Sequence, residues 1–332
     1  MSKPMNLALQ GGGAHGAFAW GVLDRLLEED FRPRALTGTS AGAVNAVLLA
    51  YGWQQNEAAG AKALLDQFWT QVSLNSPGEL LGGQLADTQV SSLTGWVLDV
   101  LRYISPYDLN PLDINPLRYL LDEMVDFQAL QEGSPMKLFI AATDVSNGKI
   151  RLFREYELTT EHVLASACLP NLHQAIEIEG KHYWDGGFSG NPAVYPLIFD
   201  CKEEDILLLL LQPLQGRELP KTTQAINQRI TELGFQSTFM REMRAISYTI
   251  QQAREQYINF SGLERRFRTL RFHLLESGEV LSSLEQATKY DTRLAFLQEL
   301  KEKGRHAADQ WIGENWDKVG QQPSCDLEAL FL

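Results

Sequence analysis

Short apolar runs alternate with amphipathic segments in the N-terminal part of the chain. Residues 5–10 predict a strand, and residues 16–29 carry apolar side chains at the spacing of a helix. Residues 35–39 predict a second strand, and residues 41–50 predict a second helix. This repeated strand–loop–helix order predicts an α/β fold, with a mostly parallel central sheet and helices on both faces.

The same pattern predicts further strands later in the chain. Residues 137–145 and 149–153 predict two strands joined by the turn sequence Ser146-Asn147-Gly148. Residues 173–187 predict a second hairpin that ends in a glycine loop. The strongly apolar residues 205–214 predict the last buried strand.

The pattern changes after residue 215. Apolar residues recur near helical spacing over residues 222–263 and again from residue 294. We therefore divide the chain into a catalytic α/β domain, residues 1–215, and a mainly helical C-terminal extension, residues 216–332, which we expect to pack onto the sheet.

One long insertion, residues 74–127, has no clear pattern. It either packs on the core or forms an apolar cap beside a hydrophobic substrate, since long connections are often lids or binding loops. The apolar residues between 93 and 104 are compatible with an acyl-chain channel or a contact with a lipid interface.

Composition limits the class of protein. The chain has 332 residues, 44% of them hydrophobic, and a net charge of −13. Such an acidic chain is a poor candidate for binding nucleic acid, which needs Lys and Arg. The three cysteines, Cys168, Cys201 and Cys325, fit neither a disulfide framework nor a zinc site.

Location is predicted from apolar runs. The N-terminus shows no signal-peptide pattern, and the longest apolar run, residues 206–214, is too short to span a bilayer. We expect a cytoplasmic protein, with peripheral membrane contact left open. A secretion route that needs no N-terminal signal also stays open.

A glycine cluster follows the first predicted strand. Gly11, Gly13 and Gly16 have the G-x-G-x-x-G spacing of a dinucleotide-binding loop. Such a site also needs an acidic residue at the end of the second strand. Asp30 precedes that strand, which ends instead in the sequence GTSAG. No Lys-Ser or Lys-Thr closes the glycine run, so a P-loop is excluded as well.

The sequence GTSAG matches the nucleophile elbow G-x-S-x-G. Ser40 would lie on a sharp turn between a strand and a helix, with its hydroxyl exposed. Gly38 and Gly42 would be small because the backbone is crowded at this turn. The following helix would place its positive end beside the serine.

The glycine cluster then has a different role. Gly11, Gly12 and Gly13 can present backbone N–H groups to an oxyanion without interference from side chains. Loops after parallel strands emerge at the same edge of a sheet. We therefore expect this loop to bind an oxyanion and not a pyrophosphate.

The residues leave two candidates for the base. One of the six histidines could complete a triad, although none is flanked by a loop of the kind that presents a catalytic histidine. Asp185 ends a predicted strand before Gly186 and Gly187, as a carboxylate on a functional loop would. An ordinary Asp-Gly turn would give the same sequence.

Four motifs, taken together in order, resemble the patatin-like phospholipase family. They are GGGAHG at residues 11–16, GTSAG at 38–42, ASACLP at 165–170 and DGG at 185–187. The resemblance covers about residues 5–212. It implies a dyad of nucleophile Ser40 and base Asp185 without histidine, with Gly186 supporting the aspartate loop and no cofactor or metal. His15 departs from the Arg or Lys usual in the family.

The resemblance implies hydrolysis of acyl-lipid esters, as a lipase or phospholipase A-type enzyme, with a lipid or other hydrophobic ester as partner. Storage polyesters and acyl-thioesters stay open as substrates. A lipid-binding or regulatory protein that keeps the fold without turnover is the alternative. The sequence does not predict an oligomeric state.

Overall fold

The computed structural model describes residues 2–74, 105–111, 113–214, 219–255, 262–282, 284 and 286–332. The strands are β1 (Lys3–Leu9), β2 (Phe31–Gly38), β3 (Lys137–Asp144), β4 (Ile150–Arg154), β5 (Ile176–Ile178), β6 (Lys181–Asp185), β7 (Asp205–Leu210) and β8 (Arg271–Glu276). The helices are α1 (Gly16–Leu26), α2 (Ala41–Leu74), α3 (Pro106–Leu109), α4 (Pro116–Met124), α5 (Phe127–Gly133), α6 (Thr160–Ser166), α7 (Tyr195–Phe199), α8 (Thr223–Glu255), α9 (Gly262–Thr269), α10 (Glu279–Ser282), α11 (Leu294–Asn315) and α12 (Leu327–Phe331).

The described strands form one mixed sheet. Hydrogen-bonded pairs connect β5 to β6, β6 to β3, β3 to β2, β2 to β1, β1 to β7 and β7 to β8, and β4 also pairs with β3. Strands β3, β2, β1, β7 and β8 run parallel to one another. The two predicted hairpins supply the antiparallel pairs β3–β4 and β5–β6, and β6 also pairs antiparallel with β3. The predicted mostly parallel sheet is thus confirmed.

Alternating side chains of the central strands enter two separate cores. On β1, Leu7 and Leu9 join the core beneath α1, α2 and α11, whereas Ala8 joins the core beneath α7, α8 and α12. This alternation follows from the period of two in a strand. Helices therefore cover both faces of the sheet, as predicted.

Residues after 215 contribute to the sheet as well as to the helices. The prediction that residues 205–214 form the last strand is wrong, because β8 continues the sheet in parallel beside β7. The predicted C-terminal helices are present as α8 and α11. Residues on both sides of position 215 share one sheet, and the division into domain and extension stays a prediction.

The insertion is described only in part. Its apolar residues 93–104 lie outside the described residues, so the acyl-channel hypothesis stays untested. The later part contacts the segment before β6, since the Tyr107 hydroxyl accepts from Ala175 N at 3.2 Å and the Asn110 carbonyl accepts from Gln174 Nε2 at 2.8 Å. No helix in the described residues is long and apolar enough to cross a membrane.

Helices α1 and α11 pack backbone to backbone. A methyl group at Gly304 of α11 would lie 2.1 Å from the carbonyl oxygen of Phe18 in α1. Gly313, on the same helix, is exposed and has open space around it.

We expect Gly304→Ala to lower the free energy of unfolding by about 1–3 kcal/mol, because the added methyl must push the helices apart. Gly313→Ala is the matched control and should raise stability by up to ~1 kcal/mol, since alanine favours helix. Urea unfolding of both variants measures the difference. Equal unfolding midpoints for the two would contradict this helix packing.

Candidate active site

The pairing of β3 brings two distant loops together. β4 pairs with residues 139–143 of β3, so it must lie on the opposite side from both β2 and β6. Gly38, the last residue of β2, pairs with Ile140 of β3, and Asp185, the last residue of β6, pairs with Ala142 of β3. The ends of β2 and β6 therefore meet beside β3. Two residues along a strand span roughly 7 Å. This junction places the loop after Gly38 beside Asp185.

Ser40 lies on a strained turn between β2 and α2. Its φ is +55°, a left-handed conformation that is uncommon for residues other than glycine. Its carbonyl oxygen accepts from Ala43 N at 2.9 Å and Val44 N at 3.1 Å, so α2 begins directly after it. The side chain is half-buried. Strain of this kind is typical of functional sites and matches the geometry predicted for a nucleophile elbow.

The predicted crowding around this turn is present. A methyl group on Gly42 would lie 2.2 Å from the carbonyl oxygen of Leu9, and one on Gly38 would lie 2.5 Å from the carbonyl oxygen of Gly42. Both glycines are therefore needed for the close approach of α2 to β1 and β2. On the far side of the turn, Ser166 Oγ accepts a hydrogen bond from Ser40 N at 3.0 Å.

Asp185 is buried at the end of β6, with 2% of its surface exposed. Its Oδ1 accepts from Gly187 N at 2.7 Å, and its own N–H donates to the Cys168 carbonyl at 2.8 Å. Burial raises the pKa of Asp185 from 3.8 to about 7, against the opposing effect of hydrogen bonds from Gly187 and the Ser40 side chain. The carboxyl thus lies beside the Ser40 side chain, and its pKa is close to neutral pH.

Gly186 fixes this loop against the sheet. A methyl group there would lie 2.2 Å from the carbonyl oxygen of Ala141 on β3. Thr143 Oγ1, further along β3, donates to the Asp185 carbonyl at 2.8 Å. The main chain on either side of the carboxyl is therefore held by β3.

The glycine loop after β1 lies against the Ser40 turn. A methyl group on Gly11 would lie 2.8 Å from Ser40 Cβ. Gly11 N–H, however, donates to Asn191 Oδ1 at 2.7 Å. This hydrogen bond uses the Gly11 N–H in the present structure, and the oxyanion role predicted for the glycine loop stays a prediction. The N–H groups of Gly12 and Gly13 have no acceptor among the described residues.

His15, the departure from the family pattern, is buried behind the glycine loop. Its Nε2 and Thr288 Oγ1 are 2.7 Å apart. Burial, reinforced by nearby Lys289, lowers the pKa of His15 to about 4. The ring is therefore neutral at pH 7 and adds no positive charge to the loop.

No histidine in the described part of the chain hydrogen-bonds with Ser40 or Asp185. A serine–histidine–aspartate group does exist, since His273 lies 3.0 Å from both Asp205 Oδ1 and Ser324 Oγ. Asp205 is the first residue of β7, whereas Ser40 follows the end of the parallel strand β2. This group therefore lies at the opposite end of the parallel strands from Ser40. It joins β7 and β8 to the chain near residue 324.

Sequence reasoning missed three polar residues around the site: Gln10, Ser166 and Asn191. Each bonds to main-chain groups of another loop. Ser166 lies in the ASACLP motif and Asn191 in the sequence GNP, but neither pattern indicates these partners. Within the described ranges, no cluster of three or more His, Cys, Asp or Glu could hold a metal ion.

A family profile, Patatin-like phospholipase, matches residues 7–198, more than half of the chain. The protein therefore belongs to the patatin-like phospholipase family, and this membership supports an activity on lipid esters. A search of curated proteins found no match.

Three solved structures are similar in part. VipD from Legionella pneumophila has 15% identity and a TM-score of 0.45, with 94% of this chain and 67% of that chain covered. The type III effector ExoU has 17% identity and a TM-score of 0.37, covering 94% and 53%. The ExoU–SpcU complex of Pseudomonas aeruginosa gives 18% identity and a TM-score of 0.31, covering 96% and 61%.

The raised pKa of Asp185 predicts a dependence of stability on pH. The pKa of Asp185 in the folded protein, about 7, lies above its value in the unfolded chain. The contribution of the neutral carboxyl to the free energy of unfolding is therefore complete below pH ~4 and is lost as the pH rises through 7. Asp185→Asn cannot ionise. Relative to wild type, we expect its unfolding free energy to increase between pH 4 and 8 by up to ~4 kcal/mol, at about 1.36 kcal/mol per pKa unit.

Urea unfolding at several pH values measures this difference. Burial also raises the pKa of Glu242 to about 7, but equally in both proteins, so the comparison isolates Asp185. Glu302→Gln, at an exposed position on α11, controls for the loss of one charge. A constant difference across this pH range would contradict the shifted pKa.

Proposed function

We propose that the protein is a serine acyl hydrolase that cleaves carboxylic esters of lipids, with Ser40 as nucleophile and Asp185 as general base. The observation that carries the proposal is the buried Asp185 carboxyl beside the hydroxyl of a serine with φ +55°. Family membership supports the lipid ester substrate.

Asp185 can act as a base because it is buried. An ordinary aspartate, with a pKa near 3.9, is a weak base at pH 7. With a pKa of about 7, its carboxylate can accept the Ser40 proton as the oxygen attacks the ester carbonyl carbon. A tetrahedral intermediate forms, with the negative charge on the former carbonyl oxygen.

Gly12 and Gly13 supply the N–H donors for that charge. Their N–H groups lack acceptors among the described residues, whereas that of Gly11 is bound to Asn191. The positive end of α1 follows this loop and favours an anion there. Fixed donors of this kind lower the barrier without needing to reorganise.

Asp185 then returns the proton to the leaving alcohol as the carbon–oxygen bond breaks, which leaves the acyl group on Ser40. A water molecule attacks this acyl-enzyme while Asp185 accepts one of its protons. Collapse of the second intermediate releases the fatty acid and returns the proton to Ser40. The cycle consumes one water and uses no metal or cofactor.

We further propose a lipase or phospholipase A-type activity at a lipid surface, with peripheral membrane contact and without nucleic acid as a partner. The net charge of −13 disfavours unaided electrostatic docking on anionic membranes. A zwitterionic or neutral lipid is therefore the first substrate to test.

Ser40→Ala should abolish hydrolysis of p-nitrophenyl esters because the nucleophile is lost, and Asp185→Asn should lower kcat by roughly a thousandfold or more through loss of the base. Turnover by wild type should rise with acyl-chain length. Labelling of wild type, but not Ser40→Ala, by a fluorophosphonate probe provides a second measurement.

Ser237→Ala is a suitable control, since Ser237 is a half-buried serine on α8 whose hydroxyl donates to the Gly234 carbonyl of the same helix. It should keep wild-type activity. Substantial hydrolysis by both Ser40→Ala and Asp185→Asn would refute the dyad. A wild-type protein that neither turns over esters nor labels at Ser40 would favour a non-catalytic lipid-binding protein.

Activity should depend on pH through Asp185. Only the carboxylate can accept the Ser40 proton, so kcat/KM should increase about tenfold per pH unit below pH 7 and reach a plateau above it. A pH profile with a p-nitrophenyl ester, corrected for uncatalysed hydrolysis, measures the midpoint. A flat profile from pH 5 to 8 would exclude a base with this pKa.

A further inference from the structure

The segment that carries Asp185 also contacts the two other loops of the site. Thr39 Oγ1, next to the nucleophile, donates to the Gly190 carbonyl at 2.7 Å. The side chain of the next residue, Asn191, contacts Gly11 in the glycine loop. A stretch of seven residues, 185–191, thus connects the base, the nucleophile turn and the loop that we assign to the oxyanion.

The Asn191 side chain binds both polar groups of Gly11. It is buried, with 5% of its surface exposed. Its Oδ1 accepts from Gly11 N at 2.7 Å, and its Nδ2 lies 3.5 Å from the Gly11 carbonyl oxygen, toward which it donates. One primary amide therefore fixes the backbone of this glycine on both sides.

Gln10 holds the neighbouring backbone in place. Its Oε1 accepts from Leu211 N at 2.7 Å and Gln212 N at 2.9 Å, and its Nε2 donates to the Asn191 carbonyl at 3.3 Å. The loop after β1 is thereby bonded to the chain after β7 and to Asn191. Gln10 has 2% of its surface exposed. Buried networks of this kind, when fully bonded, are rigid.

Because the peptide bond is planar, a side chain that fixes the Gly11 carbonyl also fixes the orientation of the Gly12 N–H. The Gly11 carbonyl and the Gly12 N–H belong to the same peptide unit, and in a trans peptide they point in opposite directions. A side chain that holds the carbonyl on one side therefore directs the N–H to the other. Glycine loops otherwise rotate readily, because glycine allows many backbone conformations.

We propose that Asn191 is a positioning residue that orients the Gly12 N–H toward the oxyanion formed during attack by Ser40. The proposal rests on the function proposed above. The Asn191 side chain hydrogen-bonds to Gly11 and not to Ser40 or Asp185. It acts through the Gly11–Gly12 peptide, which its amide keeps in one orientation.

Asn191→Ala removes both contacts with Gly11. We expect kcat for a p-nitrophenyl ester to decrease about tenfold to a hundredfold, short of the hundredfold to thousandfold typical for deleting an oxyanion donor itself. KM should stay nearly unchanged, because the donor acts on the transition state more than on the bound substrate. The rate of Ser40 labelling by a fluorophosphonate should decrease in parallel.

Asn6→Ala is the matched control. Asn6 is also a fully buried asparagine on the chain leading to the glycine loop, and its Nδ2 donates to the Glu203 carbonyl. It lies five residues before Gly11, about 16 Å along an extended strand. This variant should lose stability but retain the wild-type kcat in its folded fraction.

Asn191→Asp is a second variant, whose side chain has the same shape as asparagine. It tests the proposal even if Asn191→Ala fails to fold. As a carboxylate it keeps an acceptor for Gly11 N–H but has no donor for the Gly11 carbonyl, so kcat should decrease. When protonated, the carboxyl regains one donor. The ratio of its kcat to that of wild type should therefore increase from pH 8 to pH 5.5.

Wild-type kcat in Asn191→Ala or Asn191→Asp would overturn the proposal, and so would an equal decrease in Asn6→Ala. An effect on KM alone would also overturn it, because it would indicate a role in substrate binding. These outcomes differ from failure of the proposed function, which would appear as absence of turnover and of Ser40 labelling in the wild-type protein.

Discussion

The free energy needed to bury the Asp185 carboxylate shapes the rest of the site. Its charged form is destabilised because water is excluded, and, in the part of the chain that the structure describes, Gly187 N–H and the Ser40 side chain offset that loss. Two more hydrogen bonds to the charged carboxylate would return the pKa of Asp185 to the range of an ordinary aspartate. The site therefore depends on groups that surround Asp185 without hydrogen-bonding to its carboxyl oxygens: β3, which pairs with its main chain, and the Cys168 carbonyl, which accepts from its N–H.

Strand pairing contributes directly to this burial. β2 and β6 approach the same side of β3 from opposite directions, and the space between their ends holds both Ser40 and Asp185. The main chain of Asp185 could not move away without breaking its pairing with β3. The strain at Ser40 is maintained in the same way, since α2 begins at once and Gly42 lies against β1. A sheet of this kind gives a rigid base for loops that do chemistry.

Local patterns in the sequence predicted the elements and the chemical groups, but not the bonds between distant loops. Ser40, Asp185 and both hairpins carry signals within a few residues, because turns and strand periods are local properties. β8 was missed since the sequence LRFHLLE suits a strand or a helix equally, and only its pairing with β7 decides. Whether the Gly11 N–H is available depends on Asn191, 180 residues away, and no spacing rule indicates that contact.

In the mechanism that we propose, the same proton determines both the stability of the fold and the reactivity of Ser40. Below pH 7 the neutral Asp185 carboxyl suits its buried position and stabilises the fold, but it cannot accept a proton from Ser40. Above pH 7 the carboxylate can act as a base, and the desolvation of its charge lowers the free energy of unfolding. Adding hydrogen bonds to Asp185 would relieve that destabilisation, yet each would lower its pKa and weaken the base. The sparse bonding of this carboxyl is therefore a compromise between a stable fold and a basic Asp185 at neutral pH.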